Sequence, residues 1–142
     1  MAITLRKART IVAKALAKGL EAGMQPLAVC VLDAGGHLKA FEREDGASIG
    51  RFAVARGKAN GALQLGTGSR ALGKRAEAQA YFVLAAGRIF DNGLVPVPGG
   101  VLVRDRKGEI IGAVVVSGDN SDNDEAAAIA GIEAAGLTAD PG

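Results

Sequence analysis

The stretch PLAVCVLDAGGHLKAFERED, residues 26–45, has the pattern of two strands joined by a tight turn. Residues 26–33 are apolar and rich in branched side chains, as is typical of a buried strand. A turn is expected at residues 34–36, because glycine tolerates positive φ and the Asp33 carboxylate can accept hydrogen bonds from the backbone that follows it. From His37 onwards polar and apolar residues alternate, as in a second strand. The sequence therefore predicts a β-hairpin.

Helices and further strands are predicted on both sides of this hairpin. Apolar residues at helical spacing and capping residues at the ends indicate the helices. Their predicted positions are Thr4 to Gly23, about Ser48 to Leu65, one or two short helices in residues 66–92 interrupted by Gly73 and Gly87, and a final helix that starts with a capping box of Asp122 and Glu125. Residues 94–105 and 110–118 are extended, and two prolines confine the first of these segments to a sheet edge or a bend.

The predicted order of elements is α-β-β-α-(α)-β-β-β-α. Short links between strands favour antiparallel pairs, and helices at both ends must cover the sheet. The chain has 142 residues, the size of one domain, and contains no internal repeat, linker or low-complexity tract. These features predict a single α+β layered domain over residues 1–142.

Composition and charge argue against several classes of protein. Apolar residues make up 49% of the chain and charged residues 23%, which is enough apolar material for a core. The formal net charge of +2 is too small to indicate nucleic-acid binding. A single cysteine, Cys30, excludes an internal disulfide. The first residues contain no continuous apolar run, so we expect neither a signal peptide nor a membrane span, and we expect a cytoplasmic protein.

His37, the only histidine of the chain, follows directly on the predicted turn. The turn needs the aspartate and the glycines, but it does not need the histidine. By residue type, His37 can be a surface histidine, a ligand of haem or of a metal, or a proton carrier. Because there is no second histidine, a metal site built from several histidines is excluded.

Two cations after the turn are candidates for ligand binding. Arg43 lies in a run of charged residues at the end of the second strand, where it can pair with its neighbours or hold a carboxylate with two hydrogen bonds. Lys58 is flanked by Gly57, Ala59 and Gly61, which give a long side chain little cover and allow a ligand or partner to approach. The alternative for Lys58 is a side chain that points to solvent.

Two loops complete the set of candidates. Pro98, Gly99 and Gly100 form a bend in which the glycines let the backbone come close to a neighbour, but the motif lacks the Gly-Lys-Ser/Thr ending of a P-loop. Asp124 and Glu125 lie in an acidic run at the start of the final helix. Helix capping explains part of that run, and substrate binding or a weak surface metal site is the alternative. The spacing of the acidic residues argues against an EF-hand.

Four stretches occur in the order and at the spacing of one known family: PLAVCVLDAGGHLKAFEREDGA, GKANGA, PVPGGVLVRD and GEIIGAVVVSGDNSDNDEAAAIAGI. Together they resemble the GlcG/HbpS-like family, which includes the haem-binding protein HbpS and the C-terminal domain of PduO, from about Leu5 to Gly136. The resemblance implies an antiparallel five-stranded sheet flanked by helices, with a profilin-like outline. It also implies homo-oligomers, often octamers, with sites near subunit interfaces, and a haem or related tetrapyrrole ligand for some members.

The resemblance also implies roles for the candidate residues. By similarity the positions of interest are His37, Arg43, Lys58, Pro98 to Gly100, Asp124 and Glu125. His37 is the implied ligand of a haem iron, with Cys30, Met24 and Tyr81 as weaker alternatives, and the two cations can meet the propionates. Residues 66–92 depart from the family, because this segment is longer and richer in alanine than the usual connection. We also expect no export signal of the kind that the secreted haem-binding members carry.

Three functions therefore stay open at this point. The first is a small-ligand-binding protein, most directly for haem or a related tetrapyrrole, with neither nucleic acid nor membrane as a partner. The second is a cofactor-free enzyme of a catabolic pathway that acts on a small carboxylate or carbonyl compound, in which Lys58 or His37 transfers protons and Arg43 anchors the anion. The third is an assembly module whose glycines serve only close packing between subunits.

Overall fold

The computed structural model describes every residue from Met1 to Gly142. Its elements are, in chain order, α1 (Leu5–Glu21), β1 (Ala28–Asp33), β2 (Leu38–Arg43), α2 (Arg51–Leu65), α3 (Ser69–Ala78), α4 (Ala80–Ile89), β3 (Gly100–Arg104), β4 (Ile110–Ser117), α5 (Ser121–Ala134) and β5 (Thr138–Asp140). The predicted α+β class is confirmed. No helix combines the length and the apolar character that crossing a membrane requires.

All the strands belong to one five-stranded antiparallel sheet in the order β2-β1-β4-β3-β5. The central strands β1 and β4 pair over their length, from Ala28 opposite Ser117 to Asp33 opposite Gly112. Successive side chains of a strand point to opposite faces. Because β1 and β4 are apolar at nearly every position, both faces of the sheet need a cover of helices.

The two faces of the sheet are covered by different helices. On one face, valines of β1, β3 and β4 pack against α1 and α5 in the larger core cluster. On the other face, Cys30, Leu32, Leu102 and Val115 pack against the alanines of α2. The contact between α1 and α5 is close, since a Cβ at Gly131 would lie 2.6 Å from the carbonyl oxygen of Ile11.

The predicted hairpin and the first helix cap are confirmed. The Asp33 carboxylate accepts hydrogen bonds from the backbone N–H groups of Gly35 (2.9 Å) and His37 (3.0 Å), and Gly36 has a φ of 82°. The Thr4 hydroxyl accepts a hydrogen bond of 3.1 Å from the backbone N–H of Lys7 and caps α1.

The predicted row of three consecutive strands is wrong. Of residues 94–105 only Gly100–Arg104 form a strand, and the preceding proline-containing residues are a loop. The fifth strand is instead β5, which follows α5 and pairs with β3 at the sheet edge. Its three residues carry too little periodicity to be recognised without their partner strand.

Two helix boundaries also differ from expectation. Residues 66–92 contain two short helices, as predicted, but the break falls at Gln79 and not at Gly73 or Gly87, which lie inside α3 and α4. The cap of α5 is Asn120, whose side-chain oxygen accepts a hydrogen bond of 2.9 Å from the backbone N–H of Asn123. The expected capping box of Asp122 and Glu125 is not formed, because both carboxylates bind an arginine of α3.

Candidate functional site

The close packing of α2 places Lys58 inside the protein. Its small residues allow α2 to approach its neighbours closely, and a Cβ at Gly57 would lie 2.7 Å from the side chain of Val95. Only 3% of Lys58 is exposed. The expectation that the small neighbours of Lys58 leave it uncovered is therefore wrong, because the cover comes from residues distant in the sequence.

Lys58 forms a buried ion pair with Asp124, which lies in the first turn of α5. The Nζ atom of Lys58 is 3.5 Å from Oδ2 of Asp124, and Asp124 is 1% exposed. The other carboxylate oxygen, Oδ1, accepts a hydrogen bond of 2.9 Å from the backbone N–H of Asp119. Burial lowers the pKa of Lys58 and raises the pKa of Asp124, because the loss of water outweighs their attraction at this distance. Perturbed pKa values of this kind occur both at catalytic sites and in structural ion pairs.

Gly99 and Gly100 contact this ion pair from the start of β3. Gly99 has a φ of 124°, and a Cβ there would lie 3.0 Å from Nζ of Lys58. A Cβ at Gly100 would lie 2.7 Å from the carbonyl oxygen of Lys58. The backbone N–H of Gly100 donates a hydrogen bond of 2.7 Å to the buried hydroxyl of Ser69. The two glycines therefore allow the backbone to approach α2 at Lys58.

Glu125 follows Asp124 in α5 and belongs to a separate cluster with Arg70 and Asp122. Nε of Arg70 is 3.0 Å from Oε2 of Glu125, and the same guanidinium binds Asp122. These hydrogen bonds raise the pKa of Arg70 above its usual range. A cleft of about 570 Å³ opens next to Arg70, lined by Gly73, Lys74, Ala76, Glu77, Pro96, Val97 and Pro98. Pro98 thus lines a cleft, whereas the glycines that follow it are buried.

His37 and Arg43 form no hydrogen bond or ion pair with this group. His37 is exposed at the tip of the hairpin, its imidazole has no hydrogen-bond partner, and it lines none of the three clefts of the chain. Arg43 is exposed and donates a hydrogen bond of 2.7 Å to the carbonyl oxygen of Ala47. The sequence-predicted residues therefore fall into a buried group around Lys58 and two exposed residues of the hairpin.

Two residues of this region, Ser69 and Arg70, were missed by sequence reasoning, and Arg51 was not selected as a site residue. Ser69 and Arg70 start α3, within the segment whose structure was least certain from its composition. Arg51 starts α2 and donates a hydrogen bond of 3.2 Å to the buried Ser117 hydroxyl. The seven-residue spacing of Arg51 and Lys58 was a usable signal, since residues seven apart share one helix face.

The alternative iron ligands are poorly placed. Cys30 is fully buried in β1, and this burial raises the pKa of its thiol to about 12, so it stays protonated. Met24 packs against the core cluster. Tyr81 is exposed on α4. No three side chains among the His, Cys, Asp and Glu residues are grouped to hold a metal ion.

Comparison with known proteins identifies the family. The family described as "Haem degrading protein HbpS-like" matches residues 3–133. The chain belongs to this HbpS-like family. No match was found among curated proteins.

Solved structures of similar fold support this assignment. The PduOC:haem complex is 22% identical and superposes with a TM-score of 0.85, covering 96% of this chain and 97% of that chain. A protein of Klebsiella pneumoniae, ORFY, is 24% identical with a TM-score of 0.83, covering 94% and 90%. A double mutant of HbpS from Streptomyces reticuli is 28% identical with a TM-score of 0.81, covering 94% and 86%. The fold of this HbpS-like chain is thus shared along nearly its whole length.

Proposed function

We propose that this HbpS-like protein binds haem or a related tetrapyrrole between the copies of a homo-oligomer. The observation that carries the proposal is the state of His37, the one histidine of a chain whose family is described as haem-degrading. Its imidazole is exposed and free of hydrogen bonds, so both ring nitrogens are available. The haem bound to the structurally similar PduOC supports the same ligand class.

The residues of one chain fit part of a haem site. His37 can bind an iron, and the exposed guanidinium of Arg43, which donates only to a carbonyl oxygen in this chain, can donate hydrogen bonds to a propionate. A slot for the macrocycle is the part that a single chain lacks, because His37 lines no cleft. A second copy facing the hairpin would supply that slot, so the proposal requires an oligomer. Bound haem would supply the iron. The chain would supply His37 as the iron ligand and Arg43 as a cation for a propionate.

Replacing His37 by alanine tests the proposal. Titration of the wild-type protein with haemin should give a Soret band of bound haem. In the variant this band should shift or flatten. The affinity for haemin should fall by at least about tenfold, because loss of a residue that only hydrogen-bonds a metal ligand already costs that much, and His37 is the proposed ligand itself. Stability should change by less than about 0.5 kcal/mol, as for an ordinary surface residue.

Lys39→Ala is the matched control for His37→Ala, because Lys39 lies two residues further along the hairpin, is likewise exposed, and its side chain forms no hydrogen bond. Its haemin titration should match that of the wild-type protein. An unchanged Soret band in His37→Ala would remove His37 as the ligand.

We expect the protein to be a homo-oligomer in solution, with an octamer as the assembly that the family favours. Several large apolar side chains are exposed, with exposed fractions from 71% to 91%: Leu20, Ile49, Tyr81, Leu84 and Ile89. Covering such apolar surface with a second copy lowers the free energy of the assembly relative to separate monomers. Light scattering at micromolar concentration should give a multiple of 14.3 kDa, and a single species of 14.3 kDa would contradict this expectation.

A second candidate function follows from the Lys58–Asp124 pair. A buried lysine with a lowered pKa beside a carboxyl with a raised pKa is an arrangement that general acid–base catalysis uses. In this function Lys58, or His37 as the alternative, moves a proton of a small carboxylate or carbonyl compound, and Arg43 anchors the anion. A His37→Ala variant that keeps its ligand affinity but loses turnover would favour this function over haem ligation.

A further inference from the structure

A cleft at the start of α2 is lined by one charged side chain, that of Arg51. The cleft has a volume of about 320 Å³ and is lined by Gln25, Pro26, Gly46, Ala47, Ser48, Arg51 and Gly118. This volume is near the lower limit of ligand sites, which is roughly 300 Å³. The cleft is therefore large enough for a small organic molecule.

The guanidinium of Arg51 is held in place but has no acidic partner. One of its terminal nitrogens donates a hydrogen bond of 3.2 Å to the hydroxyl of Ser117, which is 0% exposed. Arg51 takes part in none of the five salt bridges of the chain. Its remaining N–H groups thus have no partner in the protein, and they are the donors that bind a carboxylate in a bidentate manner.

The carboxylates near the cleft do not pair with Arg51. Arg51 lies close enough to Lys58 to lower the pKa of that lysine, and the carboxylate that pairs with Lys58, Asp124, forms no salt bridge with Arg51. The carboxylate of Asp119 accepts hydrogen bonds from N–H groups of Gln25, Asn120 and Asn123, and it also forms no salt bridge with Arg51. A bound carboxylate would supply the direct partner that Arg51 lacks.

The remaining lining of the cleft is compatible with an anion. Ser48 offers a hydroxyl that has no hydrogen-bond partner in the protein, and no acidic side chain lines the cleft. The first turn of α2 starts at the same place and contains no acidic residue and no side-chain cap. The positive end of the α2 helix dipole adds to the positive electrostatic potential that Arg51 creates in the cleft.

We propose that this cleft binds a small monocarboxylate, with Arg51 as the anchoring residue and Ser48 as a second donor. A carboxylate fits the planar fork of a guanidinium, and Arg51 has no carboxylate partner within the chain. The assignment does not depend on haem binding, because neither His37 nor Arg43 lines the cleft. It identifies Arg51, and not Arg43, as the anion anchor near Lys58.

Binding of acetate, as the sodium salt at constant ionic strength, tests the proposal. Saturation-transfer NMR on the acetate methyl group should show saturable binding to the wild-type protein. Arg51→Gln should lose this binding, and Arg51→Lys should weaken it, because a lysine keeps the charge but not the fork. The control is Arg9→Gln, a neutralised exposed arginine of α1 that lines no cleft, and it should bind acetate like the wild-type protein.

Several results would overturn the assignment. Acetate that binds Arg51→Gln as tightly as the wild-type protein would exclude Arg51 as the anchor. Inorganic phosphate that binds at Arg51 in preference to acetate would overturn the monocarboxylate class. Haemin titration of Arg51→Gln separates this proposal from the first, since it should give the wild-type Soret band whether or not acetate binding is lost.

Discussion

Replacing Asp124 by asparagine is expected to lower the free energy of unfolding by about 3–5 kcal/mol, the cost of removing one partner of a buried ion pair. The substitution keeps the shape of the side chain and an oxygen for the N–H of Asp119, but it removes the charge that balances Lys58. Lys58 is 3% exposed, so in the variant its charge lacks both a counter-ion and most of its contact with water. Urea denaturation followed by far-UV circular dichroism measures the effect.

The pH dependence of the stability of Asp124→Asn tests whether the unpaired charge of Lys58 causes the loss of stability. The pKa of Lys58 in the folded protein is below its value of 10.5 in the unfolded chain, and loss of the Asp124 charge lowers it further. Between the pKa of Lys58 in the folded variant and its pKa in the unfolded chain, the unfolded state binds more protons. The stability therefore rises as the pH rises through this range. The unfolding free energy of Asp124→Asn should therefore be higher at pH 9 than at pH 7.

Asp122→Asn is the matched control for Asp124→Asn, because it alters another aspartate in the same turn of α5. The Asp122 side chain is 77% exposed in its pair with Arg70, so its loss should cost no more than about 1 kcal/mol. Equal losses in the two variants would show that the buried pair contributes no more than an exposed one.

Replacing Gly100 by alanine is expected to destabilise the protein by about 3 kcal/mol, the upper end of the usual cost of overpacking. The added Cβ would lie 2.7 Å from the carbonyl oxygen of Lys58 and 2.9 Å from the hydroxyl of Ser69. The first of these atoms belongs to the backbone of α2, so relief requires that the helix moves away from the sheet. Thermal and urea denaturation give the change in stability.

Gly50→Ala is the control for Gly100→Ala. Gly50 precedes the same helix, has a φ of −77°, and has no heavy atom within 4 Å of a Cβ built on it. An alanine there should change the stability by no more than about 0.5 kcal/mol. If Gly100→Ala is equally mild, the close approach of β3 to α2 does not constrain this position.

The elements that could be predicted from the sequence are those whose signal is local. The cap at Thr4, the turn after Asp33 and the apolar run of β4 each depend on residues a few positions apart. β5 could not be predicted, because its three residues become a strand only by pairing with β3, as in Leu102 opposite Asp140. Its anchor, the Arg104–Asp140 salt bridge of 2.8 Å, joins residues far apart in the chain.

The candidate site could be predicted only in part, for the same reason. Lys58, Gly99, Gly100 and Asp124 were selected by residue type, and the structure brings them together. Their arrangement could not be read from the sequence, since the partner of Lys58 is 66 residues away. The roles assigned to His37 and Arg43 stay predictions, because both residues are exposed and a single chain does not show what covers them.

The position of Tyr81 decides what optical signals of this protein report. The chain contains no tryptophan and one tyrosine, which lies on α4 with 72% of its surface exposed. Intrinsic tyrosine fluorescence therefore observes α4 and not the core around β1 and β4. A change in tyrosine emission upon dilution would indicate that a neighbouring copy has left α4, whereas unfolding of the sheet could leave the emission almost unchanged.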